Sequence, residues 1–170
     1  GGAQRSLVTL IQALSRGGRW RPFVLAADRT PGGVLDQCAA QGLSCEGFQA
    51  RHWSRDGRGL AQFIADRRRF RPLWHRAIRQ VQPSLVHVNG ARAALLACGG
   101  RPLPVPLVLH ARDLRVPFPV RCLLSPRADA VLAISQCVAE NWRRVMPDAN
   151  VVVVPNGLDL DRIRATPPAG

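Results

Sequence analysis

The sequence predicts an α/β fold, a Rossmann-like doubly wound parallel sheet, and two observations predict it. The first is rhythm. Short aliphatic runs such as Phe23-Val24-Leu25-Ala26-Ala27, Leu107-Val108-Leu109 and Val151-Val-Val-Val154 alternate with amphipathic or small-residue segments. That alternation calls for crossover helices between parallel strands. The second is punctuation. Several runs end in polar residues: Asn89-Gly90, His110-Ala111-Arg112-Asp113, Ser135 and Asn156-Gly157. In open α/β sheets the carboxyl edge of the strands is where ligands bind.

The elements follow in order. Leu7, Leu10, Ile11 and Leu14 form a stripe at helical spacing, and Gly17-Gly18 ends that helix. Gly1-Gly2 precede it. A glycine pair there fits a plain turn. It also leaves N–H groups open to a phosphate, which the helix dipole favours by about 0.3–1 kcal/mol. Trp20–Ala27 reads as a strand, Asp28–Gly33 as a loop, Val34–Gln41 as a short helix ended by Gly42, and Leu43–Phe48 as a second strand.

Arg51–Arg79 is the most basic stretch, nine arginines against Asp56 and Asp66. An apolar set including Phe63, Phe70, Trp74 and Ile78 accompanies it, and Pro72 is expected to kink or split the helix. Two readings stay open. The segment packs on the sheet with a solvated arginine face, or it is a basic amphipathic surface for an anionic bilayer. Nucleic acid is not expected as a partner, because no reader motif accompanies the charge.

Pro83–Gly90 is a strand ending in a turn, and Ala91–Cys98 is a small-residue helix closed by Gly99-Gly100. Pro102–Pro106 is a rigid connector, and Leu107–His110 is the next strand. His110 then stands at a strand's carboxyl end beside Arg112 and Asp113, with an ordinary pKa near ~6.5 that allows proton exchange at neutral pH. Pro117–Pro126 reads as an irregular or helical crossover. Ala130–Ile134 is a strand, and Ser135 caps the helix Gln136–Val145. Four β-branched residues at Val151–Val154 predict a strand buried on both faces. Pro155 stops it, Asn156-Gly157 turns, and Asp159 caps a short helix or reaches into a cleft.

Composition bounds the rest. A chain of 170 residues is one domain by size and buries about 70% of its unfolded surface. All 24 basic residues are arginine and the net charge is +13, which favours anionic partners. Five cysteines without a C-x-x-C pair read as reduced core thiols of a cytosolic protein, not a zinc site. No apolar run reaches the roughly 18 residues of a membrane span, and no signal peptide opens the chain. A P-loop is excluded, as is a nucleophile elbow. A dinucleotide-binding oxidoreductase is disfavoured because no G-x-G-x-x-G follows a strand.

Five pieces, in order, resemble the N-terminal half of a GT-B glycosyltransferase of family 4. They are Gly1-Gly2-Ala3-Gln4-Arg5-Ser6, Pro83-Ser-Leu-Val-His-Val-Asn89, Val105-Pro-Leu-Val-Leu-His-Ala-Arg-Asp113, Ala128-Asp-Ala-Val-Leu-Ala-Ile-Ser135 and Val154-Pro-Asn-Gly-Leu-Asp159. The family usually has Glu where this chain has Gln4. The resemblance implies a retaining transfer of a sugar from a nucleotide-sugar donor to a lipid or glycan acceptor, with no bound metal or other cofactor. It implies that Gly1 and Gly2 approach the donor diphosphate and that His110 is the catalytic residue near the donor sugar. Asn89, Arg112 and Asp113 lie on the acceptor side, and Ser135, Asn156, Gly157 and Asp159 face the interdomain cleft.

Two departures accompany it. The family's first strand is absent, which would leave a slot in the sheet, and so is the C-terminal donor-binding domain. Residues 1–164 are thus expected to be the acceptor-side domain and 165–170 the start of a linker, inactive as they stand. The expected location is cytoplasmic, including the inner face of the cell membrane. The competing reading is a non-catalytic basic module that docks on an anionic membrane or a phosphorylated ligand.

Overall fold

A computed structural model describes residues 2–26, 31–48, 59–97, 103–114 and 128–157. Gly1, Asp159, Arg51–Arg58, the Pro117–Pro126 crossover, Cys98, Cys122 and the expected 164/165 boundary lie outside them. The described elements are α1 (Gly2–Arg16), β1 (Phe23–Ala26), α2 (Val34–Ala39), β2 (Ser44–Gly47), α3 (Gly59–Val81) and β3 (Val86–Asn89). They continue with α4 (Ala91–Ala97), β4 (Leu107–Ala111), β5 (Ala130–Ala133), α5 (Gln136–Val145) and β6 (Val151–Val153). The alternation is the expected one and every strand pair is parallel.

The sheet comes in two pieces. β1 pairs with β2, and a second sheet runs β3-β4-β5-β6. Among the described residues no ladder joins β1 to β3, so each keeps one edge without a strand partner. Side chains of α1, Val8 and Ile11, pack with Val24, Val34 and Cys38 beside the smaller sheet.

The larger sheet has two unlike faces, set by the two-residue period of the strands. In-register pairing places Val86 beside Leu107, Val88 beside Leu109, Leu109 beside Val131, and Ala111 beside Ala133. These form one apolar face, closed by Ala94 and Leu95 of α4 and by Val138, Ala139 and Trp142 of α5, with Met146 just after it. The alternate positions carry His87, Asn89, His110 and Arg112.

α5 begins as expected. The Ser135 hydroxyl accepts a 3.3 Å hydrogen bond from the Val138 N–H, which satisfies one donor of the first turn. At the start of β4 the Asp129 carboxylate accepts from the Leu107 N–H at 2.7 Å, tying β4 to β5. Gly90 has φ +87°, a value that lets β3 turn directly into α4 and that side chains resist.

Three expectations are corrected. Pro72 does not split its helix, and α3 runs through it. Pro72 and Arg68, the residue whose carbonyl loses its partner, are both exposed, so the missing bond falls on the solvent side of the helix, where its loss costs least. β6 is not buried on both faces. Among the described residues it pairs only with β5, and Val152 and Val154 are 43% and 40% exposed. An edge strand covered on one face leaves alternate side chains in solvent. Of the cysteines, Cys38 is buried and Cys45 half-buried, but Cys137 is exposed in the first turn of α5, a position that core packing does not reach.

Gly47 ends β2 with no room for a side chain. A Cβ there would collide with the Ala26 carbonyl oxygen and with Leu35 Cδ1 at 2.7 Å. The backbone atom belongs to the paired strand and cannot swing aside. Gly47→Ala is therefore expected to destabilise the protein by roughly 1–3 kcal/mol, measured by urea denaturation, while Gly157→Ala, with nothing within 4 Å, is expected to change stability little.

Candidate functional site

Arg112 follows β4 by one residue, and its guanidinium draws together four parts of the chain. Its Nε donates to Asn89 Oδ1 at the end of β3 at 2.7 Å. One terminal nitrogen donates to Asn156 Oδ1 after β6 at 3.0 Å, and the other to Ser6 Oγ of α1 at 3.2 Å. Ser6 Oγ also donates to Asn156 Oδ1 at 2.9 Å. Three strand ends and the first turns of a helix thus meet at one cation. The meeting follows from register. Asn89 pairs with His110, so Asn89, His110 and Arg112 share a sheet face, and the residues after β6 arrive at the same edge.

Below this cluster lie two imidazoles. His87 and His110 meet edge to face with ring centroids 5.4 Å apart, one residue pair further down the same face. His110 is 6% exposed. Among the described residues both its ring nitrogens, and Nε2 of His87, are buried without a hydrogen-bond partner, a condition that costs free energy unless something supplies the bond. Burial holds the His110 pKa down to about 4, with Arg112 and then His87 adding to the effect. His87 is lowered as well, by burial first and Arg112 second. At neutral pH both rings are uncharged, so His110 has one N–H to donate and one nitrogen to accept with.

Arg112 itself is made somewhat less basic by burial, against which the Asp113 carboxylate acts. It stays charged at any physiological pH. All three oxygens that hold it are neutral.

Of the residues expected at the site, Asn89, His110, Arg112 and Asn156 come together. Asp113 is exposed beside them, and Gly157 follows Asn156 with open space around it. Ser135 is occupied in capping α5. Gly2 opens α1, whose first turn carries no acidic residue. Two participants have no assigned role in the sequence reading. Ser6 belongs to the Gly1–Ser6 piece that leads into the helix but carries no role of its own there, and its contact spans 150 residues of sequence. His87 sits inside a strand, and its spacing of two from Asn89 is the signal that could have placed it on the polar face. Among the described residues no group of three or more His, Cys, Asp or Glu could hold a metal ion.

A parallel sheet whose carboxyl edge carries polar side chains defines a Rossmann-like α/β protein, the fold class in which ligands bind at that edge. Comparison with known proteins narrows this. The model of Glycosyltransferase Family 4 matches residues 1–162, so the chain belongs to that family. The solved structure of Anabaena Alr3699/HepE, in complex with UDP and glucose, matches with a TM-score of 0.59 at 18% identity, over 95% of this chain and 42% of that one. The likeness bears out the fold, and the chain spans less than half the length of that protein. No curated protein matches.

The buried imidazole makes a pH prediction. The folded state holds His110 near 4 against 6.5 for the free side chain, so between these values the unfolded chain binds more protons. Stability is therefore expected to fall as pH drops from about 6.5 to 4. Arg112→Gln removes a cation that opposes protonation, so it should raise the His110 midpoint, read by NMR of the ring resonances. An unchanged midpoint would place the cause of the shift elsewhere.

Proposed function

We propose that the chain is the acceptor-side domain of a retaining glycosyltransferase that moves a sugar from a nucleotide-sugar donor to a lipid or glycan acceptor. Family membership supports the class of reaction. The observation that carries the reading to residues is His110: a buried, neutral imidazole with unfilled hydrogen-bonding capacity, at the ligand edge of a parallel sheet and beside a fixed arginine. The named relative was solved with UDP and glucose, the two parts of such a donor.

In this reading His110 is the catalytic residue, donating to or accepting from a hydroxyl of the transferred sugar. The N-terminus of α1, with Gly1 and Gly2, faces the donor diphosphate, where the helix dipole and open N–H groups favour negative charge. Asn89, Arg112 and Asp113 line the acceptor side. Asn156, Gly157 and Asp159 face the cleft toward a second domain that completes donor binding, and Ser135 contributes through the orientation of its loop.

The remaining surface bears on where such an enzyme works. α3 presents Arg68, Arg69, Arg71, Arg76 and Arg79 to solvent together with Ile64 at 43% exposure. Arg76 pairs with Glu46, and Arg71 donates to His75 at 3.3 Å. The only carboxylate on α3 itself, Asp66, is fully buried. No helix among the described residues is long and apolar enough to cross a membrane. We read this face as a peripheral contact with an anionic membrane on the cytoplasmic side.

Two outcomes are expected. The chain alone should give no turnover of uridine-diphosphate hexoses in a coupled assay of nucleotide release, whereas measurable transfer to any acceptor by the purified chain would show that no second domain is needed. On vesicles, the chain should sediment with anionic but not neutral lipid, and raised salt should release it. Loss of binding in a variant with Arg68, Arg71 and Arg79 changed to Gln would locate the contact on α3. Equal binding to neutral vesicles would remove the membrane reading.

A further inference from the structure

We propose that Arg112 binds a phosphate group of a substrate directly, in the space framed by Asn89, Asn156 and Ser6. The inference rests on reading this sheet edge as the substrate face, and it adds the chemistry of what is held there.

Three observations carry it. First, a guanidinium has five N–H donors, and the three hydrogen bonds to Asn89, Asn156 and Ser6 use three of them. Two remain, one on each terminal nitrogen: Asn156 Oδ1 and Ser6 Oγ, 2.9 Å apart, occupy the parallel inner pair of N–H groups, so the two left point outward to either side, and each is open to one phosphate oxygen as a charge-assisted donor. Second, the cation is matched only by neutral oxygens. Among the described residues no carboxylate pairs with it; Asp113 is exposed, and the two imidazoles beside it are uncharged at neutral pH. A partly desolvated cation whose nearby carboxylate, Asp113, is exposed and not in contact with it gains from an anion more than the same cation in water does. Third, the orientation is already fixed. Asn156 Oδ1 accepts from both Arg112 and Ser6, so the guanidinium plane is held before a ligand arrives and little ordering remains to be done on binding. Independently, His110 keeps both ring nitrogens buried and without a partner on the same face, an unfilled donor and acceptor next to where the phosphate would sit.

The phosphate could belong to the nucleoside diphosphate of the donor or to a phosphorylated acceptor. The two sources separate in one experiment on the isotopically labelled chain, in which amide and His110 ring resonances are followed by NMR during titration with inorganic phosphate and, separately, with uridine diphosphate. Saturable shifts are expected at the amides of Gly90, Arg112 and Gly157, together with a rise in the His110 midpoint, because an anion offsets the repulsion from Arg112. Arg112→Gln should abolish them. Should that variant lose its fold, Asn156→Asp decides: it keeps the size of the side chain and supplies an internal carboxylate, and is expected to weaken binding by about tenfold or more with the amide dispersion retained. Arg79→Gln, on the outer face of α3, should bind like the parent. Uridine diphosphate acting at lower concentration than phosphate on these amides assigns the site to the donor, and phosphate acting there while the nucleotide does not assigns it to the acceptor. Shifts confined to α3, shifts that persist in Asn156→Asp, or no shift with either probe would overturn the proposal. None of these readouts depends on sugar transfer, so a failure here leaves the transferase reading standing, and a failed transfer assay leaves this one.

Discussion

One cation organises the carboxyl edge of the larger sheet. Arg112 reaches from the end of β4 to β3, to the loop after β6 and to α1, by hydrogen bonds of 2.7–3.2 Å. Each of these elements could reach its place by packing alone. Packing does not fix where a loop points, however, because apolar contacts are non-directional. A planar donor with three satisfied hydrogen bonds does fix it. Partial burial of the charge is the cost of the arrangement, offset in part by the Asp113 carboxylate.

Beneath that edge the sheet separates two tasks by strand periodicity. Odd positions of β4 (Leu107, Leu109, Ala111) and their neighbours on β3 and β5 face α4 and α5 and form the apolar core. The alternate positions are spent on His87, Asn89, His110 and Arg112, residues that help little in packing. A histidine pair buried at the cost of its hydrogen bonds is a local inconsistency of the kind expected at a functional site. Val8 and Ile11 of α1 pack beside the smaller sheet while Ser6 of the same helix binds Arg112. One helix therefore links both sheets.

Most of the fold was legible in the sequence because strand runs, glycine stops and the Ser135 cap are local signals. Boundaries slipped by one to several residues, as at β3, where Pro83-Ser84-Leu85 leads into the strand but does not join it. Two local rules misled. Pro72 was expected to kink or split α3, yet the helix is not split; Pro72 lies on its exposed side, where solvent has access. Four consecutive valine residues suggested full burial, yet burial depends on neighbours and β6 has one. At the site, Asn89, His110, Arg112 and Asn156 could be named from their positions after apolar runs. Their mutual bonds could not, since they join residues far apart in sequence. Ser6 and His87 show the same limit, as their roles exist only once α1 and the sheet are brought together.

The claim that Arg112 joins elements, as opposed to merely touching them, is tested most directly by a double-mutant cycle. Urea denaturation of Arg112→Met, Asn156→Ala and the double variant measures the coupling between β4 and the loop after β6. A coupling of roughly 0.5–3 kcal/mol is expected for residues sharing one hydrogen-bond network. Effects that add within about 0.3–0.5 kcal/mol would mean that the two side chains act independently, and that the edge is held by packing instead.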